Sequence, residues 1–142
     1  MNIFNIERAY KLKKERGWDK LYWCIDFHDT LFPARYDSSQ TVEISASAIE
    51  VLNNIQTNNV LIAYTSTPED HVSELCRDIY KYCGINFTYI NDNPEYIGND
   101  YADFSKKFYY NILLDDKAGF EGETDWLLVK NELIRVGEWW KI

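Results

Sequence analysis

Apolar positions along the chain keep two rhythms. Ile6, Tyr10 and Leu12 fall at helical spacing and predict a helix over residues 4–16 that ends near Gly17. Residues 20–27 are almost continuously apolar and read as a strand. The polar stretch PARYDSSQTVEIS then forms a loop or a small hairpin. Ser47 and Glu50 stand at capping-box spacing, which predicts a helix over 48–57 with Ile49, Leu52 and Ile55 inward. NVLIAYT at 59–65 is a second strand. Thr67 follows as an N-cap, with Pro68 at the first helical position and Glu69 and Asp70 in the first turn. That helix carries Val72, Leu75, Cys76, Ile79 and Cys83 on one stripe and stops at Gly84. NFTYI at 86–90 is a short third strand, NDNPEYIGND a loop, and NILLD at 111–115 a fourth strand. From about 124, Trp126, Val129, Leu133, Val136 and Trp140 recur at helical spacing and read as core packing.

Strands this apolar are buried on both faces, which means a parallel sheet covered by helices. The expectation is one α/β domain over residues 1–142, a three-layer Rossmann-like sheet flanked by helices. In such open sheets ligands bind beyond the carboxyl ends of the strands, where the strand order reverses. Asp26, Thr65 and the Asp115–Asp116 pair are predicted to stand there.

Composition narrows the class. Apolar residues make up 46% of the chain and aromatics 16%, enough for a core without disulfides or structural metal. The net charge of −8 argues against a general nucleic-acid binder, and Lys11, Lys13, Lys14, Arg16 and Lys20 read as a solvated helix face. The three cysteines form no CxxC pair, so a reducing compartment is expected, with Cys24 a buried thiol. The first residues are too charged for a signal peptide, and no run is long enough to span a bilayer. A soluble cytoplasmic protein follows as the expectation.

The strand ends carry the chemistry. Two carboxylates at neighbouring strand tips repel each other, and burial pushes one toward protonation. A divalent cation removes the conflict. Asp26 and Asp115, with Asp116, offer an all-oxygen site that suits Mg²⁺. Thr65 can give a hydroxyl to a phosphate, and the free amides around 66–70 open a helix N-terminus beside it. Lys106 and Lys107 stand just before the fourth strand. Together these are the parts of a phosphoryl-transfer site, in which an aspartate can itself be the nucleophile.

DFHDTL at 26–31 resembles the first motif of the haloacid dehalogenase superfamily, DxDGT with a following Leu or Val. VLIAYT, ending at Thr65, is similar to its second motif, Lys107 or Lys106 stands at the spacing of the motif-three lysine, and NILLDDKA resembles the fourth. These stretches span residues 22–117. The resemblance implies a phosphatase with Asp26 as nucleophile and Mg²⁺ ligand and the backbone carbonyl of His28 as a second ligand. It implies further that Thr65 holds the phosphoryl group, that Lys107 neutralises charge, and that Asp115, with Asp116 assisting, holds the metal. Asp29 takes the usual glycine position. His28 is the departure, standing where the family's phosphatases carry a second Asp as general acid and base. Imidazole can do both near neutral pH. His71, on a helix among polar neighbours, is read as structural.

The gaps Phe32–Asn58 and Ser66–Lys106 are too short for the cap domain that closes over small substrates in many family members. A capless member shields its site by homo-oligomerisation or acts on large substrates, such as proteins or nucleic-acid ends. The 33–44 stretch, with Tyr36, is the expected flap. Two functions are therefore carried forward, a Mg²⁺-dependent phosphatase and a catalytically silent domain of the same fold that binds a phosphorylated ligand or a protein partner. A receiver domain also uses acids, a Thr and a Lys, but its lysine follows its acids, whereas Lys107 precedes Asp115 and Asp116.

Overall fold

The computed structural model describes residues 2–34 and 43–140. Most of the 33–44 flap, Tyr36 included, lies outside the described residues. Four strands, β1 (Tyr22–Asp26), β2 (Val60–Tyr64), β3 (Tyr89–Ile90) and β4 (Ile112–Leu114), form one parallel sheet in the order β3-β2-β1-β4. Among the described residues four α-helices flank it: α1 (Ile6–Arg16), α2 (Ala46–Ile55), α3 (Glu69–Cys83) and α4 (Asp125–Arg135). The architecture is the expected Rossmann-like α/β class. Among the described residues no separate cap domain is present, because β1 leads to α2 and β2 to α3 with no other element between them.

Side chains alternate along a strand. Trp23 and Ile25 of β1, Leu61 and Ala63 of β2, and Ile112 and Leu114 of β4 join the buried cores of all four helices in one cluster, including Val51, Leu52, Val72, Ile79, Val129 and Leu133. Each Val, Leu or Ile among them contributes roughly 1.5–3 kcal/mol by leaving water. The opposite face of β1 carries Tyr22, Cys24 and Asp26. There Tyr22 meets Tyr109 edge-on at 5.8 Å, and Tyr64 lies 6.1 Å from Phe108. Cys24 is fully buried, and that burial pushes its thiol far above the ordinary range, so it is inert as expected.

Local signals erred by small shifts. Ser45, not Ser47, caps α2, accepting from the Ala48 amide at 3.1 Å. Pro68, not Thr67, is the cap residue of α3, and no side chain caps that helix. The Pro68 ring fixes φ at −53° and its carbonyl already accepts the first helical bond, from Val72 at 3.0 Å. The third strand shrinks to two residues. Trp140 lies beyond the end of α4 and is 45% exposed; its backbone is held by the Asn54 side-chain amide. No helix of the described residues is long and apolar enough to cross a membrane.

Candidate functional site

The chain steps outward from β1 to β2 and β3, then returns to the far side of β1 for β4. The strand order therefore reverses between β1 and β4, where open sheets bind ligands. Ile25 pairs with Leu114, so one further step of this parallel register sets Asp26 beside Asp115. Asp26 ends β1. Asp115 follows β4 and caps the short 3-10 turn Asp116–Ala118, accepting from the Lys117 amide at 3.0 Å. Carboxylate oxygens of Asp26, Asp115 and Asp116 all lie within 4.8 Å of one another.

That crowding has electrostatic consequences. Burial first, then a hydrogen bond shared with Asp116 and the nearby Asp115 charge, pushes the Asp26 carboxyl up to about 7, although the Thr30 hydroxyl opposes the shift. Asp115 is also raised, mainly by burial, while Asp116 is lowered by its hydrogen bond to Asp26. All the donors are hard carboxylate oxygens in mutual repulsion, which fits a small divalent cation such as Mg²⁺.

A stability consequence follows. The folded chain holds the Asp26 proton more tightly than the unfolded chain, where the ordinary value is 3.8. Without divalent cation, this group's contribution is fully present below about pH 4 and is lost as pH rises to about 7. Relative to Asp26→Asn, the melting temperature of the wild type in EDTA should therefore fall across that window, and millimolar Mg²⁺ should restore it above pH 7. A flat difference between the EDTA and Mg²⁺ series would contradict the cluster.

The loop after β1 is tight. The amides of Thr30, Leu31 and Phe32 converge on the Phe27 carbonyl at 3.3, 2.8 and 3.2 Å. This turn needs a left-handed residue, and Asp29 supplies it at φ +63°. That is the position at which the resembled motif carries glycine; Asp tolerates it, and its Oδ1 accepts from the Ala34 amide at 2.9 Å. His28 stands half-buried with its ring 5.3 Å from that of Phe32.

Thr65, nearly buried, follows β2. Its Oγ1 lies 3.0 Å from Thr67 Oγ1 and accepts from the Thr67 amide at 3.2 Å, so the displaced cap residue serves the strand end instead. Asn91, just past β3 and itself left-handed at φ +50°, clamps Thr65 from the other side. Its Oδ1 accepts from the Thr65 amide at 2.9 Å and its Nδ2 donates to the Thr65 carbonyl at 2.7 Å. Asn91→Gly keeps the backbone conformation and removes both bonds. It should lower stability by about 1 kcal/mol and accelerate hydrogen exchange of the Thr65 amide, read by NMR; unchanged Thr65 protection would show the clamp to be idle.

The three aspartates, His28, Asp29, Thr65 and Asn91 open onto one cleft of about 1050 Å³. Asp26, His28, Thr65, Asp115 and Asp116, the predicted set, line it together, with Ser66, Thr67 and Pro68 at the start of α3. Lys106 and Lys107 are not among its lining residues; among the described residues the lysine that lines it is Lys117. His71, Glu74 and Asp78 of α3 also face the cleft.

The sequence alone gives Thr30, Asn91, Lys117 and Trp126 no site role. Thr30 and Lys117 lay inside the quoted motifs, DFHDTL and NILLDDKA, and signalled themselves only by that position. Asn91 carried no signal, since a single Asn after a strand reads as a turn. Trp126 was assigned to core packing; it is indeed buried, but its indole N–H also donates to the Thr30 carbonyl at 3.0 Å.

No family model matches the chain, and no curated protein matches it. A solved structure, that of the conserved protein coded by locus from Bacteroides thetaiotaomicron, aligns with 82% of this chain and 90% of its own. Its TM-score is 0.61 and its sequence identity 22%, a likeness that shows a shared fold alone.

Proposed function

We propose that the protein is a Mg²⁺-dependent phosphohydrolase of the haloacid dehalogenase type, cleaving phosphomonoesters through an aspartyl-phosphate on Asp26. One observation carries this: carboxylates of Asp26, Asp115 and Asp116 within 4.8 Å, in a cleft shared with Thr65 and His28. Asp26, Asp115, Asp116 and the backbone carbonyl of His28 would hold the cation. When bound, it supplies positive charge against the phosphoryl oxygens and the crowded carboxylates.

The chain's own residues then divide the work. Thr65 Oγ1 and the amides opening α3 hold phosphoryl oxygens. The Asp26 carboxylate attacks phosphorus as the bond to the ester oxygen breaks. His28, protonated, gives its proton to the departing oxygen. The neutral imidazole next takes a proton from water, whose oxygen attacks the same phosphorus and frees Asp26 and inorganic phosphate. Lys117 takes the neutralising part that the motif resemblance gave to Lys107. Among the described residues, Asp29, Glu74 and Asp78 line the cleft beside the three clustered aspartates, against one lysine. Such a field favours a monoester whose alcohol brings no further negative charge.

The test is hydrolysis of p-nitrophenyl phosphate. Turnover that EDTA abolishes and Mg²⁺ restores is expected, and turnover indifferent to EDTA would contradict the proposal. The second reading, a silent domain that binds a phosphorylated ligand, draws on Lys106 and Lys107 lining no part of the cleft and on His28 in place of a carboxylate. It predicts no turnover at any metal concentration, with activity gained on His28→Asp if the general acid is the sole defect.

A further inference from the structure

We propose that Thr30 and Trp126 are positioning residues that fix the spacing of Asp26 and Asp116, so that cation affinity at the site is governed from helix α4. The inference rests on the reading that the three aspartates hold a divalent cation. Thr30 is 1% exposed, and its single hydroxyl has one proton and two lone pairs. The proton goes to Asp26 Oδ2 at 2.9 Å, and a lone pair accepts the Asp116 amide at 2.9 Å. One buried oxygen therefore ties the acid that ends β1 to the turn that follows β4. When both acids are ionised their repulsion opposes this spacing, and the tie resists it.

What holds Thr30 comes from α4. The Trp126 indole N–H donates to the Thr30 carbonyl at 3.0 Å, both groups being buried. The same indole packs edge-on against Phe120 with ring centres 5.0 Å apart, and the Phe120 amide donates to the Asp115 carbonyl at 3.1 Å. Trp126 thus braces both strand ends, one through a hydrogen bond and one through a ring contact. A Trp serving only as core filler needs its ring volume but not this bond. Residues that orient metal ligands from behind typically control affinity about 10–100-fold.

The test compares wild type with Thr30→Val, which keeps the shape, Thr30→Ser, which keeps the hydroxyl, and Trp126→Phe, which keeps an aromatic ring but removes the N–H. Two quantities are read on the full chain: Mn²⁺ affinity by calorimetric titration, and hydrogen exchange of the Asp116 amide. Thr30→Val and Trp126→Phe should weaken Mn²⁺ about 10-fold and speed Asp116 exchange by a similar factor. The Ala118 amide, bonded instead to the Asp115 carbonyl, should hold its rate. Thr30→Ser should behave as wild type. Equal losses in Thr30→Ser and Thr30→Val, or wild-type values in both Thr30→Val and Trp126→Phe, would overturn the proposal. If wild type binds no Mn²⁺, the cation reading fails by itself and Asp116 exchange decides the role of Thr30 and Trp126. If Trp126→Phe does not fold, the Thr30 pair decides it.

Discussion

Asp26→Asn is expected to abolish phosphomonoester turnover, by on the order of 10³-fold or more, while making the cation-free chain more stable above pH 7. The two effects share one cause. Asn has no anionic oxygen with which to attack phosphorus, so the covalent route closes. The carboxyl it replaces is held up to about 7 by burial, by its bond to Asp116 and by the Asp115 charge. Ionising it at alkaline pH therefore works against the fold, and a neutral amide of the same shape removes that penalty. The amide oxygen still accepts from Thr30, and the amide nitrogen can donate to Asp116. A gain of about 1 kcal/mol, or roughly 3 °C in melting temperature, is the expected scale. Stability and activity measured on the same preparation check the pair of effects. A variant that keeps its turnover, or that loses turnover and melts lower, would show that Asp26 is not a strained nucleophile.

Gly122→Ala should damage both stability and activity from outside the cleft. A Cβ at Gly122 would sit 2.7 Å from the Thr30 carbonyl oxygen and 2.8 Å from that of Asp29. Both are backbone atoms of the loop that presents Asp26 and His28, so neither can swing away as a side-chain tip would. Relief requires the loop to shift, which would strain the Trp126 bond to the same Thr30 carbonyl. Overpacking of this kind costs about 1–3 kcal/mol, and a displacement approaching 1 Å at reacting groups can cost about 10²-fold in rate. Chemical denaturation and turnover of p-nitrophenyl phosphate measure the two. Gly119→Ala is the control, because open space surrounds that position, although its φ of +95° adds some backbone strain of its own. Wild-type behaviour in Gly122→Ala would mean the loop is softer than its hydrogen bonds suggest.

What the sequence made legible was what apolar periodicity encodes. Trp23 to Ile25, Val60 to Ala63 and Ile112 to Leu114 are runs that only a doubly covered strand explains, and Asp26, Thr65 and Asp115 are where those runs stop. Parallel pairing then brings the stops to one edge without further information. Helix starts were less legible: Ser45 and Ser47 satisfy the same local preference, and Thr67, a good cap by type, is engaged by Thr65 instead. Contacts such as Asn91 on Thr65 and Trp126 on Thr30 were beyond reach. They join residues far apart in sequence, and no local pattern marks an amide or an indole for a distant backbone carbonyl. Lys107 stood at the motif's spacing, but spacing does not fix where an irregular segment points its side chains. Lys117 reaches the cleft because it is tied to the acids by the short turn that Asp115 caps.

The central claim is that one divalent cation sits between Asp26, Asp115 and Asp116 at the carboxyl edge of the sheet. Paramagnetic broadening by Mn²⁺, a close substitute for Mg²⁺ at oxygen sites, locates such an ion directly in the amide NMR spectrum. The account predicts broadening centred on residues 26–30 and 115–117, extending to Thr65, and removed by excess Mg²⁺. Broadening centred on Glu74 and Asp78 of α3, or spread evenly over the acidic surface, would contradict it.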